Sequence, residues 1–275
     1  MPLKATIAAF GYADLDPEAV LARYAAAGCR VCQVTRNPEA AFDIQAAGRV
    51  CSDAGLEIDS LHGLFGPELD PSSPESVVRR RTVDLYKSEA EVALELGGGS
   101  VVVHPAPFDT SSRPALTDEA RTERGAILRE SLTELGEHGE SVGVTYLIEN
   151  LPTLARFGTD VLALSDVVRG LGSPRVRMCF DTGHAHLVAG RLGMSAASLL
   201  ERCMDVVSYL HVHDNNGLTD QHQMPGQGTI EWRQIGVVMQ RMGEDVPAAL
   251  EVFLTPEKLD ATDLQVVDRL YRGEV

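Results

Sequence analysis

The stretch "VVSYLHVHDNNGLTDQHQMPGQG", residues 206–228, decides how the chain is read. It opens as an apolar, β-rich run of the kind that forms a buried strand. Yet it carries His211 and His213 and leads into Asp214, Asp220 and His222, so that one strand and its loop hold three of the chain's eight histidines. Seven other β-rich runs lie elsewhere: "ATIAAF" (5–10), "CRVCQVT" (29–35), "EIDSLHGLF" (57–65), "SVVVHPAP" (100–107), "VTYLIEN" (144–150), "VRMCFDTGH" (176–184) and "PAALEVF" (247–253).

Helical patterns alternate with these runs, at 17–27, 38–54, 74–96, 118–139, 160–171, 195–205, 231–242 and 262–272. Apolar residues recur there at spacings of three and four, as in Val83, Tyr86, Ala90 and Leu94. Gly28, Gly55, Gly97 and Gly172 close helical runs, and Pro38 and Pro74 stand where helices begin. Eight strands alternating with eight helices predict a (β/α)₈ TIM barrel filling 1–275 as a single domain. A doubly wound sheet would want a glycine-rich fingerprint after the first strand, which "GYADLDPE" does not supply. Two long loops rich in Pro, Ser and Asp, 66–73 and 106–117, are expected to flank the site.

The bulk numbers suit this reading. The chain has 275 residues, 44% hydrophobic and 23% charged, enough to bury a large core. No apolar run of membrane-spanning length occurs. The N-terminus reads as a first strand rather than a signal peptide. The five cysteines are odd in number and lie in apolar surroundings, which points to a reducing cytoplasm. Cys29 and Cys32 form a lone CxxC that reads as buried thiols. A net charge of −16 disfavours broad attraction to nucleic acid or an anionic membrane.

In a TIM barrel the active site lies at the C-terminal ends of the strands. The third strand ends with His62, the fourth with His104, and the fifth with Glu149 and Asn150. The sixth ends with Asp181 and, three residues on, His184; the seventh carries His211 and His213, and its loop Asp220 and His222. The eighth carries Glu251. Any one such histidine is more often a hydrogen-bonded core residue than a ligand. Together, inward carboxylates from three strands are costly to bury without a cation. Mixed imidazole and carboxylate donors suit zinc, manganese, iron or cobalt rather than calcium, and the set is too large for one ion. His138, in "GEHGES", reads as a solvated helix residue, and His186 as the start of the next helix.

The motifs "LHGLF", "VVVHPAP", "LIEN", "CFDTGHAHLVAG", "LHVHDNNGLTDQHQMPGQGTIEW" and "LEVF" resemble the xylose isomerase-like TIM-barrel superfamily, which includes sugar epimerases, isomerases and endonuclease IV-type AP endonucleases. For the epimerases the resemblance implies one divalent ion held by Glu149, Asp181, His211 and Glu251. His211 is preferred there over His213, although both share one face of the strand. The endonuclease pattern adds His62 and His104 for one further ion, and His184, Asp220 and His222 for another. Where sugar-handling relatives commonly carry an arginine, this chain has His222. Phe65 matches an aromatic residue that the endonucleases use against DNA. Ala155 stands where the ketohexose epimerases have a substrate-binding glutamate.

Two mechanisms follow from the resemblance. The first is proton transfer on a small sugar or sugar phosphate, with Glu149 and Glu251 as base and acid and His184 on a substrate oxygen. The alternative is phosphoester hydrolysis by two or three ions, zinc or manganese, with Glu149 bridging two of them. The ligand census favours hydrolysis; the acidic charge favours a small substrate, and the first is preferred. A non-enzymatic metal- or sugar-binding barrel would leave the paired carboxylates without a task.

Overall fold

A computed structural model of the chain describes residues 5–7, 17–26, 28–35, 43–108, 115–153, 155–243, 245–252 and 261–274. Eight parallel strands alternate with helices: β1 (Ala5–Ile7), β2 (Val31–Thr35), β3 (Glu57–His62), β4 (Ser100–Val103), β5 (Thr145–Glu149), β6 (Val176–Asp181), β7 (Val207–Val212) and β8 (Ala248–Leu250). They form one sheet in the order β1-β8-β7-β6-β5-β4-β3-β2, and β1 lies beside β2, which brings the sheet's two ends together as a barrel. The helices are α1 (Pro17–Ala26), α2 (Ile44–Ala54), α3 (Ser76–Glu95), α4 (Asp118–Val142), α5 (Val161–Leu171), α6 (Thr182–Ala189), α7 (Ala196–Cys203), α8 (Trp232–Met242) and α9 (Ala261–Arg272).

Local sequence accounts for these bounds. Thr117 caps α4 by accepting from the Ala120 amide, and Asp160 caps α5 by accepting from Leu162 and Ala163. Gly55 and Gly172 end α2 and α5 at φ 65° and 61°, a left-handed backbone that suits glycine. Pro74 stands just before the N-cap Glu75 of α3 rather than inside its first turn. The expected helix start at Pro38, the first strand beyond Ile7, Phe253, and 109–114 of the second long loop lie outside the described residues.

Residues 182–184 do not continue the sixth strand as expected. Asp181 ends β6 and caps α6, its side chain accepting from the His184 amide at 2.6 Å. The short carboxylate completes the first turn of a helix that the apolar run around it hides. His138 also differs from expectation: it is half-buried on α4, with Nδ1 2.7 Å from the Tyr146 hydroxyl. His186 lies within α6, with Nε2 2.8 Å from Thr229 Oγ1. All five cysteines are free and buried, and burial pushes the Cys29 thiol up to about 12. Among the described residues, no helix is long and apolar enough to cross a membrane.

The main apolar core lies between strands and helices. A smaller cluster packs Val102, Leu147, Cys179, Tyr209 and Ala249 together, one residue from each of β4 to β8. Since side chains alternate along a strand, the next inward residue of each is two positions on: His104, Glu149, Asp181, His211 and Glu251. On β4 to β8 an apolar layer thus lies beneath a layer of imidazoles and carboxylates.

Candidate metal centre

Parallel pairing brings this polar layer together. Asp181 pairs with His211 in register across β6 and β7, and His211 pairs with Ala249 of β8, two residues before Glu251. Glu149, Asp181, His211 and Glu251 are all buried, and each offers one ligand atom within 4.8 Å of the others. His211 Nδ1 stands 3.2 Å from Glu149 Oε1, 3.2 Å from Glu251 Oε2 and 3.8 Å from Asp181 Oδ2. Glu149 Oε2 and Glu251 Oε2 are buried without a hydrogen-bond donor in good geometry.

Two further groups adjoin this one. His62 joins Glu149 and His211, with Nε2 3.5 Å from Glu149 Oε2. His104 Nε2 reaches the same oxygen at 3.2 Å, though it does not converge with His211. The other group comprises His184, His213, Asp220 and His222. Asp220 Oδ2 is 3.2 Å from His184 Nε2, and Oδ1 is 3.4 Å from His222 Nε2. His213 therefore belongs with the loop residues, while also reaching Asp181 Oδ1 at 2.9 Å. All nine residues singled out in the sequence meet at one end of the barrel.

The rings are fixed so that one nitrogen of each faces acid. Nδ1 of His62, His184 and His222 lies 3.0, 2.9 and 2.9 Å from the carbonyls of Gly63, Asn150 and Glu251. A carbonyl only accepts, so each Nδ1 carries a proton and each Nε2 points at a carboxylate. In a neutral ring that Nε2 is a lone pair facing lone pairs. A cation between them, proton or metal, makes the arrangement favourable, and backbone-anchored imidazoles are the usual setting of a metal ligand. The donor set therefore fits a divalent transition-metal ion that accepts imidazole and carboxylate together.

The pKa directions describe the same cluster with protons as the cations. Burial alone would push the Glu149 carboxyl up, but the charge on His211 and contacts from His104 and His184 hold it well below the usual carboxylate range. Burial works against a charged His211, and its acidic neighbours outweigh it and raise the ring well above its ordinary value. His184 is raised in the same way by Asp181, Asp220 and Glu149. In His104 burial wins over Glu149 and lowers the ring.

Other residues support the site, and one of them, Gln33, has no marker in the sequence. Gln33 Oε1 lies 2.9 Å from His211 Nε2. Asp214 is wholly buried and accepts from the amides of Asn215, Gly226, Gly228 and Ile230 and from the Trp232 indole, tying down the loop that carries Asp220 and His222. His222 adopts φ 45°, a left-handed backbone that turns its ring inward. Phe65 stacks on His104 at 4.7 Å between centroids, and Phe108 meets both rings edge-on. Ala155 is buried and pairs with Phe108 through the backbone.

Comparison with known proteins places the chain. A family model described as a xylose isomerase-like TIM barrel matches residues 21–270. The uncharacterized protein MJ1311 of Methanocaldococcus jannaschii is 29% identical over 195 residues, 70% of this chain and 63% of that protein. A D-psicose 3-epimerase of Enterocloster bolteae is 26% identical over 207 residues, covering 74% of this chain and 64% of its own length. The chain thus spans somewhat under two thirds of these relatives. Among solved structures, a D-tagatose 3-epimerase-like protein superimposes with a TM-score of 0.73 at 23% identity, covering 89% of each chain. The Thermus thermophilus protein TTHB071, soaked with ZnCl2, gives 0.69 at 24% identity over 97% of each chain. These two likenesses are of fold.

Proposed function

We propose, for a chain that belongs to the xylose isomerase-like TIM-barrel family, a metal-dependent epimerase or isomerase acting on a small sugar or sugar phosphate. The reading takes 1–275 as a single barrel domain in a reducing cytoplasm, consistent with five buried free cysteines. Its main support is the convergence of Glu149, Asp181, His211 and Glu251 on one point, since this is the carboxylate–imidazole set that a divalent ion fits. The 3-epimerases among its relatives support the substrate class.

An ion held by these four residues would supply Lewis acidity, making the C–H between a sugar carbonyl and its neighbouring hydroxyl easier to deprotonate. The chain's own groups do the rest. Glu149 and Glu251 flank His211 Nδ1, one to take the proton from carbon and the other to return a proton to it. His184, anchored through Nδ1 on the Asn150 carbonyl and with Nε2 3.2 Å from Asp220, would carry a second proton on Nε2 and hold a substrate oxygen through it. Phe65 and Phe108 cover His62 and His104 with apolar surface that excludes water from that side.

One observation favours a second reading. The group His184, His213, Asp220 and His222 adjoins the first and can hold a further ion. Two or three ions would suit a small phosphodiester or nucleotide; Glu149, Asp220 and the histidines would hold them, and they would supply positive charge to the phosphoryl oxygens and to the departing ester oxygen. Metal analysis of protein purified without chelator tests both. One tightly held ion per chain, with solvent deuterium entering the carbon beside a ketose carbonyl, supports the epimerase. Two or three ions with phosphodiester cleavage and no deuterium exchange would overturn it.

A further inference from the structure

The metal reading leaves open which nitrogen of His211 bears a proton, and the barrel interior answers it. β2 and β3 lose register between Cys32 and Gln33: Cys32 pairs with Ile58 but Gln33 with Ser60, so Asp59 is an extra residue on β3. Such a bulge re-aims side chains. Here it sets Gln33 beside Ser60, both fully buried on the inner side of the barrel. β7 has a matching irregularity, with Met178 opposite Val207 and Cys179 opposite Tyr209, so that Ser208 is extra. The Tyr209 hydroxyl crosses the floor of the barrel to Asp59, 3.2 and 3.3 Å from its two oxygens.

A directed chain of hydrogen bonds results. Ser60 Oγ gives its one proton to Asp59 Oδ1 at 2.7 Å or to the Tyr209 hydroxyl at 3.0 Å, which itself donates to Asp59. It therefore accepts from Gln33 Nε2, at 3.0 Å. A carboxamide whose NH₂ faces Ser60 must turn its oxygen the other way, and Gln33 Oε1 lies 2.9 Å from His211 Nε2. His211 Nε2 accordingly carries a proton. Nδ1 is left as the nitrogen that faces Glu149, Glu251 and Asp181. We propose that Gln33, oriented through Ser60 by the bulged Asp59, is a positioning residue that fixes the proton of His211 on Nε2 and so reserves Nδ1 for the ion.

This rests on the four-residue metal reading only for its consequence, so the test separates the two. In metal-free, ¹⁵N-histidine-labelled protein, held at a pH above the raised value of His211 so that its ring is neutral, His211 should show a slowly exchanging proton on Nε2. Gln33→Leu should abolish that resonance, and Gln33→Glu, which keeps an oxygen acceptor, should restore it. Ser60→Ala, a smaller change that frees the amide to turn over, should also weaken it. With zinc added, Gln33→Leu should weaken binding about tenfold to a hundredfold, as loss of a ligand's outer hydrogen bond does elsewhere, while Gln33→Glu stays near wild type. A wild-type His211 protonated on Nδ1 alone, or a Gln33→Leu protein with the resonance and zinc affinity unchanged, would overturn the proposal. Wild-type protein that binds neither zinc nor manganese sinks the metal reading, and the metal-free proton measurement still decides this one.

Discussion

The imidazole of His213 lies flat on that of His222, with centroids 3.8 Å apart and planes 5° from parallel. Each ring faces a different carboxylate: His213 Nε2 reaches Asp181, and His222 Nε2 reaches Asp220. The stack therefore joins the central group to the loop group, and two cationic rings at this distance would repel. A metal ion beside one ring and a carboxylate beside the other would remove that conflict.

His222→Arg is the substitution that separates the two groups. A guanidinium should displace any ion held by Asp220 and His184 and leave the ion of Glu149, Asp181, His211 and Glu251 in place. Metal content per chain should fall by one if wild-type protein binds more than one. Epimerase activity should survive in part, whereas a phosphoesterase should be damaged severely, since the lost cation would neutralise charge developing on the phosphoryl group. Loss of every ion would show that the groups are not separable.

Glu149→Gln and Glu251→Gln should each lower turnover by about a hundredfold to ten-thousandfold, the usual contribution of a positioned acid or base. Circular dichroism and denaturant midpoints should stay close to wild type, because an amide keeps the volume. Near-normal turnover in either variant would remove the proposed catalytic pair.

His138→Ala should leave metal content and turnover unchanged, since His138 lies on α4 against Tyr146 rather than with the polar layer. It should nonetheless cost about 1–2 kcal/mol of stability, because the buried Tyr146 hydroxyl loses its 2.7 Å partner. Equilibrium denaturation reads the second effect. A change in bound metal would mean that the helix, not only the strand ends, shapes the site.

The pair Arg169–Asp205 gives a pH signature away from the site. Arg169 donates from Nε and Nη2 to the two Asp205 oxygens, both at 2.8 Å, and so holds that carboxyl below its ordinary value. A depressed carboxyl adds stability above its unfolded value, about 3.9, and loses it as pH falls through the folded one. The side chains are 40% and 56% exposed, so the pair is worth about 0.5 kcal/mol. Asp205→Asn should destabilise by that amount near neutrality and by nothing in strong acid. Equal losses at both pH values in urea titrations would sink the assignment.

How much the sequence reveals varies with the signal each feature leaves. Alternating β-rich and helical runs with glycine stops outline the barrel, because parallel strands buried on both faces are continuous apolar runs. The nine candidate residues are legible because imidazoles and carboxylates at strand ends are chemically conspicuous. Helix α6 is not, since eight residues beginning "TGHA" carry little periodicity and only the capping Asp181 marks the start. Strand alternation cannot tell His211 from His213, which point the same way. Depth in the barrel divides them: the first meets Glu149 and Glu251, the second the loop. Gln33 has no signature, because its role depends on a bulge two strands wide.

Asp214 has a bearing on how this barrel can be altered. Five donors spread from Asn215 to Trp232 converge on one buried carboxylate, and at Gly228 even a methyl group would collide with Asp214 and Asn215. Each donor reaches its oxygen only if the chain between has its present length. An insertion or deletion anywhere in that span moves several donors at once. The loop is thus closed to length change, and any remodelling of what the barrel accepts must be written into its other rims, such as the segment 66–73 beside Phe65.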